Sequence, residues 1–243
     1  MRLLSVCILF FSCSFPAAAQ FSKKAYKIVG NTTVYKVDSM QAYIYTAGFM
    51  IDADGAPKAY HKDDKVALDY LGNGGKPGNW WALVTDNGKA SGNPVIQTAS
   101  NPAPGYYISM TALENGDKNR IDPDRYVNSE TIPYIAVPAG FSNDFKLGDI
   151  AFVYNKKNQK FCFAIFADIG PKNKIGEGSI KLANELGINS NPKKGGIESG
   201  IVYLLMKNSG QHKVLTTEQI IAAGKSQHSG QDIDRLIKLA DVK

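Results

Sequence analysis

Residues 166–180 read FADIGPKNKIGEGSI. An apolar run, KFCFAIFAD, ends in a single aspartate, Asp168. The chain then turns through Gly170-Pro171 and sets Glu177 between Gly176 and Gly178. Proline holds φ near −65° and glycine is free at φ, so the segment reads as a strand, a tight turn and a polar entry into the next element. That element is a helix over about 177–187. In EGSIKLANELGI, Ile180, Ala183, Leu186 and Ile188 form an apolar stripe and Gly187 is the stop. Gly195-Gly196 and the run IVYLLM follow.

Outward from this stretch, turn signals alternate with short β-type runs. DADGAP, LGNGGKPGNW, DNGKASGNP, NPAPG, DPDR and NKKNQK are the turns. The runs lie at 80–85, 106–111, 131–137, 150–154, 161–167 and 201–206. Many short strands at this spacing predict a closed β-barrel interrupted by one helix. Two further helices are expected in the tail, at 217–223 and 233–240. The second carries Leu236, Ile237 and Leu239 and is expected to pack on the barrel. The fold class is mainly β with a few helices: a single domain built on a six-stranded double-psi-like barrel with an inserted helix and C-terminal helices.

Composition agrees with this class. The chain has 243 residues, 44% hydrophobic and 21% charged, with 23 Gly and 11 Pro, which is ordinary globular usage with an excess of turn formers. Arg2, an apolar core over residues 3–11 and Ala17-Ala18-Ala19 form a secretory signal peptide over 1–19. The remainder is expected to be secreted or periplasmic, monomeric and without stable membrane association. Residues 20–48 read as a lead-in, 49–210 as the barrel domain and 211–243 as a helical extension. Cys7 and Cys13 leave with the signal, so Cys162 is alone and no internal disulfide forms. The net charge of +6 comes from scattered lysines rather than a basic run, which argues against nucleic-acid binding.

The order strand, Asp-x-Gly-Pro, helix and Gly-Gly strand resembles the double-psi β-barrel of expansin-like proteins, lytic transglycosylases and some endoglucanases. A wider resemblance runs over residues 49–206. IDADGAPKAYH (51–61), LDYLGNGGKPGNWWALV (68–84), NPAPGYYISMTAL (101–113), DPDRYVNSETIPYIAVP (122–138), GDIAFVYN (148–155) and the 166–188 segment together resemble the fungal-type chitosanases, glycoside hydrolase family 75. The resemblance implies an endo-hydrolase of β-1,4-linked glucosamine polymers that inverts the anomeric carbon, with Asp168 and Glu177 as the paired catalytic carboxylates. It also points to Asp52 and Asp54 as a cleft wall that binds glucosamine ammonium groups.

The residues themselves carry a parallel reading. Glycoside hydrolysis needs one carboxylic acid to protonate the leaving oxygen and one carboxylate to act on water or carbon. Glu177 is assigned as the acid and Asp168 as the base or its orienter. The helix start is expected to favour ionised Glu177, while Asp168 and burial oppose it. Trp80-Trp81 at a strand start send one indole inward and one outward. Trp80 and Tyr106 are the candidate stacking rings, and Asp122 and Glu130 are further candidate substrate contacts. No cofactor or metal is expected. Three histidines and one remaining cysteine make no metal cluster, IDADG lacks the ligand pattern of a calcium loop, and AGKS at 223–226 lacks the first glycine of a phosphate loop. The competing readings are a non-catalytic barrel that binds cell-wall polysaccharide and a peptidoglycan-cleaving enzyme on the same barrel.

Overall fold

The computed structural model describes residues 22–37, 40–227 and 230–241; the segment read as a signal peptide lies outside them. In chain order the strands are β1 (Lys23–Val29), β2 (Thr32–Val37), β3 (Ala42–Asp52), β4 (Gly75–Lys76), β5 (Asn79–Trp80), β6 (Tyr134–Pro138), β7 (Ile150–Asn155), β8 (Phe161–Gly170), β9 (Glu177–Ser179) and β10 (Ile197–Met206). The helices are α1 (Leu71–Gly74), α2 (Ile180–Glu185), α3 (Thr217–Gln227) and α4 (Gly230–Asp241). None of them is long and apolar enough to cross a membrane.

Six strands close a barrel in the order β3-β10-β7-β8-β6-β9, and β9 pairs back onto β3. The β6–β8 and β3–β9 pairings are parallel; the other four are antiparallel. Closure depends on the length of β3. One edge pairs with β10. The other pairs with β2 at residues 42–44 and with β9 at residues 50–52, so the β1–β2 hairpin runs off the barrel along β3. The expected lead-in boundary at 48/49 therefore falls inside a barrel strand.

Alternation along the strands sorts side chains onto two faces. Tyr43, Tyr45, Phe49, Ile51, Ile135, Val153, Phe166 and Tyr203 form the inner cluster, into which α2 packs Ile180, Leu182 and Ala183, with Leu186 just past its end. Ile44, Phe152, Phe163, Ile165, Val202 and Leu204 face outward and are covered by Leu215, Ile220, Leu236 and Leu239 of the tail. At Gly224 a Cβ would lie against the Phe163 ring, so α3 seats closely on β8. The tail is thus part of the same core, and the domain is single.

The expected runs at 131–137, 150–154, 161–167 and 201–206 became β6, β7, β8 and β10. Those at 80–85 and 106–111 did not become barrel strands. They lie in the long connection from β3 to β6, joined by single bridges such as Leu83–Ser109 and Ile96–Tyr107. The Asn, Gly and Pro between them interrupt any ladder, and Val84, Ile108 and Tyr126 form a small cluster of their own. The two missing barrel strands are β3, read as lead-in, and β9, read as the first turn of the helix.

Candidate active site

Glu177 is in β9, not in a helix. The helix begins three residues later, where Ser179 at the N-cap accepts the Leu182 N–H at 3.1 Å. Ser179 also accepts the Tyr134 N–H and donates to the Ile132 carbonyl, which ties β9 to β6 and the start of α2. On β9, Glu177 is level with Met50 of β3 and with Ala136 of β6. Gly178 faces inward, where a Cβ would meet the Phe49 ring and the Tyr134 carbonyl at 2.9 Å. The small residue lets β9 lie flat on the core and turns Glu177 to the outer face.

Asp168 reaches the same face through a bulge. Along β6–β8 the partners run Ile135–Phe166 and then Ala136–Asp168, so Ala167 is an extra residue. Unbroken alternation would aim Asp168 into the barrel with Ala164 and Phe166. The bulge instead sets it level with Ala136, whose other neighbour is Glu177. Both acids therefore sit on strands, which fixes them more firmly than the turn expected from sequence.

Asp52 and Asp54 complete the acidic floor. Asp52 ends β3 and is buried. Its Oδ1 accepts the Asp54 N–H at 2.8 Å, and its carbonyl accepts from the Ser129 hydroxyl. Asp54 Oδ1 accepts from Tyr60 at 2.7 Å and from Ser109 at 3.3 Å. Asp168 Oδ1 accepts the Ala112 N–H at 2.9 Å. Asp52, Asp54 and Asp168 each offer an oxygen within 4.8 Å of the others.

Loss of water raises the pKa of all four acids, and like charge adds to it at Asp52, Asp54 and Glu177. Asp52 is pushed well up by burial, then by Asp168 and Glu177. Asp54 is pushed well up by burial, then by Asp52 and Asp168. Burial lifts Asp168 only to about 6, because the Ala112 and Ile169 N–H groups and Asp54 hydrogen-bond its charged form. Glu177 rises to about 7 through burial and then Asp168, with Lys174 opposing. The expected helix-start stabilisation of ionised Glu177 is absent, since Glu177 lies outside the helix.

These acids line a cleft of about 970 Å³, together with Asp69, Trp81, Lys172, Lys174 and Glu198. Asp69 was not singled out in the sequence reading, where nothing distinguishes it from other loop acids. It is buried, accepts both the Tyr70 N–H and the Asn73 amide, and is pushed up by burial. The indole expectation is reversed. Trp80 is 7% exposed and packs in the inner cluster; Trp81 is 54% exposed, with its Nε1–H held by the Asn73 carbonyl at 2.7 Å. Its polar atom is satisfied at the edge, and its ring lines the cleft.

Tyr106, Asp122 and Glu130 do not line the cleft. Tyr106 donates to the Val66 carbonyl and lies 5.0 Å from the His61 ring. Asp122 caps a 3-10 turn and pairs with Lys118 at 3.6 Å. Glu130 is an exposed turn residue. Asp122 thus serves a turn, and the Glu130 N–H bonds the Asn128 side chain. Asp149, another acid in the matched blocks, is also structural: it is fully buried and accepts the N–H groups of Lys146, Asn208, Ser209 and Gly210.

The three-aspartate cluster has the spacing of a hard-cation site. However, hydroxyl and N–H donors already occupy one oxygen of each residue, and no metal is assigned. No protein-family model matches the chain, and no match is found among curated proteins.

Proposed function

We propose that the protein is an endo-acting glycoside hydrolase of the family 75 chitosanase type, cleaving β-1,4-linked glucosamine polymers with inversion. The observation that carries this reading is the position of Asp168 and Glu177 on either side of Ala136, facing one cleft. Neighbouring strands are about 4.8 Å apart, so two strand spacings put the Cα atoms on the order of 10 Å apart. An inverting pair needs roughly 6.5–9.5 Å between its carboxyls, and the strand spacing is compatible with that.

The roles follow from the surroundings. Glu177, pushed up to about 7, carries the proton for the leaving oxygen. Asp168, held lower by three hydrogen bonds, is the carboxylate that takes a proton from water. Water attacks the anomeric carbon from the side opposite the leaving group as Glu177 protonates the glycosidic oxygen. Trp81 stacks on a sugar face, and Asp69 and Glu198 attract ammonium groups along the wall. Export rests on residues 1–19.

Lys172 and Lys174 on the lip favour a second reading, an anionic polymer such as peptidoglycan. A barrel that only binds glycan has no use for a raised acid and a carboxylate held half-buried in one cleft, since burying them costs stability. The test is incubation with soluble chitosan, chitin, cellulose and peptidoglycan, with products sized by chromatography. Chitosan shortening supports the proposal. Cleavage of peptidoglycan alone moves the assignment to the second reading, and retention of glycan without cleavage moves it to a binding module.

A further inference from the structure

Asp54 enters the mechanism above only as a hydrogen-bond partner of Asp168, and it is held at four points. Its N–H goes to Asp52 Oδ1 and its carbonyl accepts from the Tyr134 hydroxyl at 3.0 Å. Its Oδ1 accepts from Tyr60 and from Ser109, whose hydroxyl also reaches the Ala82 carbonyl at 3.2 Å. That leaves Oδ2. Asp54 and Asp168 each offer an oxygen within 4.8 Å of the other, and a hydrogen bond from Asp54 is among the influences that hold Asp168 down. The titratable groups acting on it are Asp52 from β3, Tyr60 from the long connection, Tyr134 from β6, Asp168 from β8 and Glu177 from β9. Asp52, Asp168 and Glu177 are carboxyls, so ionising Asp54 adds like charge to a half-buried cluster; the two tyrosines are neutral, and the Tyr60 hydroxyl opposes the rise. Adjacent carboxyls in that situation share protons rather than all ionise.

We propose that Asp54 is a neutral carboxylic acid that donates a hydrogen bond to Asp168 from the oxygen not engaged by Tyr60 and Ser109, holding the Asp168 carboxylate ionised and aimed into the cleft. The inference rests on the reading of Asp168 as the base. Asp54 touches no reacting atom in this role, so it is a positioning residue and not an ammonium anchor. Its hydroxyl proton stays on Asp54 throughout the reaction. Burial holds it there, and the Tyr60 hydroxyl orients the carboxyl.

Asparagine tests this directly, because a neutral amide keeps a donor where the acid had one. Asp54→Ala should lose about 10–100-fold in kcat with little change in KM, the scale of a slightly misplaced catalytic group. Asp54→Asn should restore most of that rate. In Asp54→Ala the acid limb of the pH–rate profile should move to higher pH, since the Asp168 carboxylate loses a donor; in Asp54→Asn it should stay. If Asp54 were ionised, both variants would remove a negative charge and move the limb to lower pH, which would overturn the proposal. So would an Asn variant that melts normally yet is as slow as the Ala variant.

A second measurement needs no substrate. Aspartate-labelled wild-type protein at pH 7 should give a protonated carboxyl carbon signal that is missing from Asp54→Asn. Titration of that carbon near pH 4 would overturn the proposal. A protein inactive on chitosan but protonated at Asp54 at pH 7 would refute the chitosanase reading and leave the carboxyl pair standing.

Discussion

Asp168 and Glu177 are brought level across β6: each is the register partner of Ala136, one through a parallel pairing and one through an antiparallel pairing. Nine positions separate them in sequence, yet two strand spacings separate them in space. The Ala167 bulge turns the first onto the outer face, and the inward Gly178 leaves the second there. Two carboxyls on the strands that flank one short strand are held by main-chain ladders, so the backbone sets their separation.

Removing either acid should stop hydrolysis without unfolding the chain. Glu177→Gln keeps the shape and a hydrogen-bond donor but has no proton to give, so the rate should fall by at least ~10²–10⁴-fold. Asp168→Asn should be comparably slow if it activates the water. Reducing ends released from chitosan, with melting curves as a folding control, check both.

The rate should peak between about pH 6 and pH 7. Asp168, near 6, must be ionised, and Glu177, near 7, must be protonated. The rate therefore falls below the first value and above the second. The two limbs belong to the coupled cluster rather than to single residues, and kcat/KM measured from pH 4 to 9 reports them.

The same acids make the fold less stable as pH rises. Glu177 ionises near 4.5 unfolded and near 7 folded, so its contribution is fully present below about 4.5 and is lost as pH climbs through 7. Glu177→Gln should melt higher than wild type at pH 8 and level with it at pH 4. The gain should be a few degrees, at roughly 2–4 °C per kcal/mol for a chain of this size.

A methyl at Gly170 should disturb the chemistry while sparing the fold. A Cβ there would stand 2.8 Å from Glu177 Oε2 and 3.7 Å from the Ala136 methyl. The backbone accepts it, since φ is not positive. The carboxylate at the end of a flexible chain has to move. Gly170→Ala should lose on the order of 10²-fold in kcat, the cost of about 1 Å of misplacement, with a nearly unchanged melting curve.

The two tryptophans should separate binding from stability. Trp81→Ala should raise KM for chitosan with little change in melting. Trp80→Ala should cost roughly 3–5 kcal/mol as a core cavity. Chemical denaturation and steady-state kinetics on both variants give the comparison.

Legibility in the sequence followed pattern length. IAFVYN, FCFAIFA and IVYLLM are unbroken apolar runs, and each is a buried barrel strand. AYIYTAGFMID was missed as a barrel strand because apolar residues lie on both of its faces, the inner lined by Tyr43, Tyr45, Phe49 and Ile51 and the outer carrying Ala42 and Ile44. No period stands out in such a run. Glu177-Gly178-Ser179 has no apolar residue, and only its neighbours make it a strand. Alternation predicted one buried and one exposed tryptophan, but the phase is set by the β4–β5 hairpin, where Trp80 pairs with Gly75. The Ala167 bulge leaves no mark in sequence. Asp52, Asp54, Asp168 and Glu177 were legible as a group only through the stretches that carry the resemblance; Asp122 and Glu130 lie in the same stretches but outside the cleft.

The most direct test follows the anomeric protons of the products by NMR as the purified protein acts on a soluble chitosan oligomer at pH 6.5, beside Glu177→Gln. The account predicts that new reducing ends appear first as the α-anomer and equilibrate later, and that the variant releases none. A β-anomer as first product would contradict inversion. Cleavage by Glu177→Gln at the wild-type rate would contradict the acid pair itself.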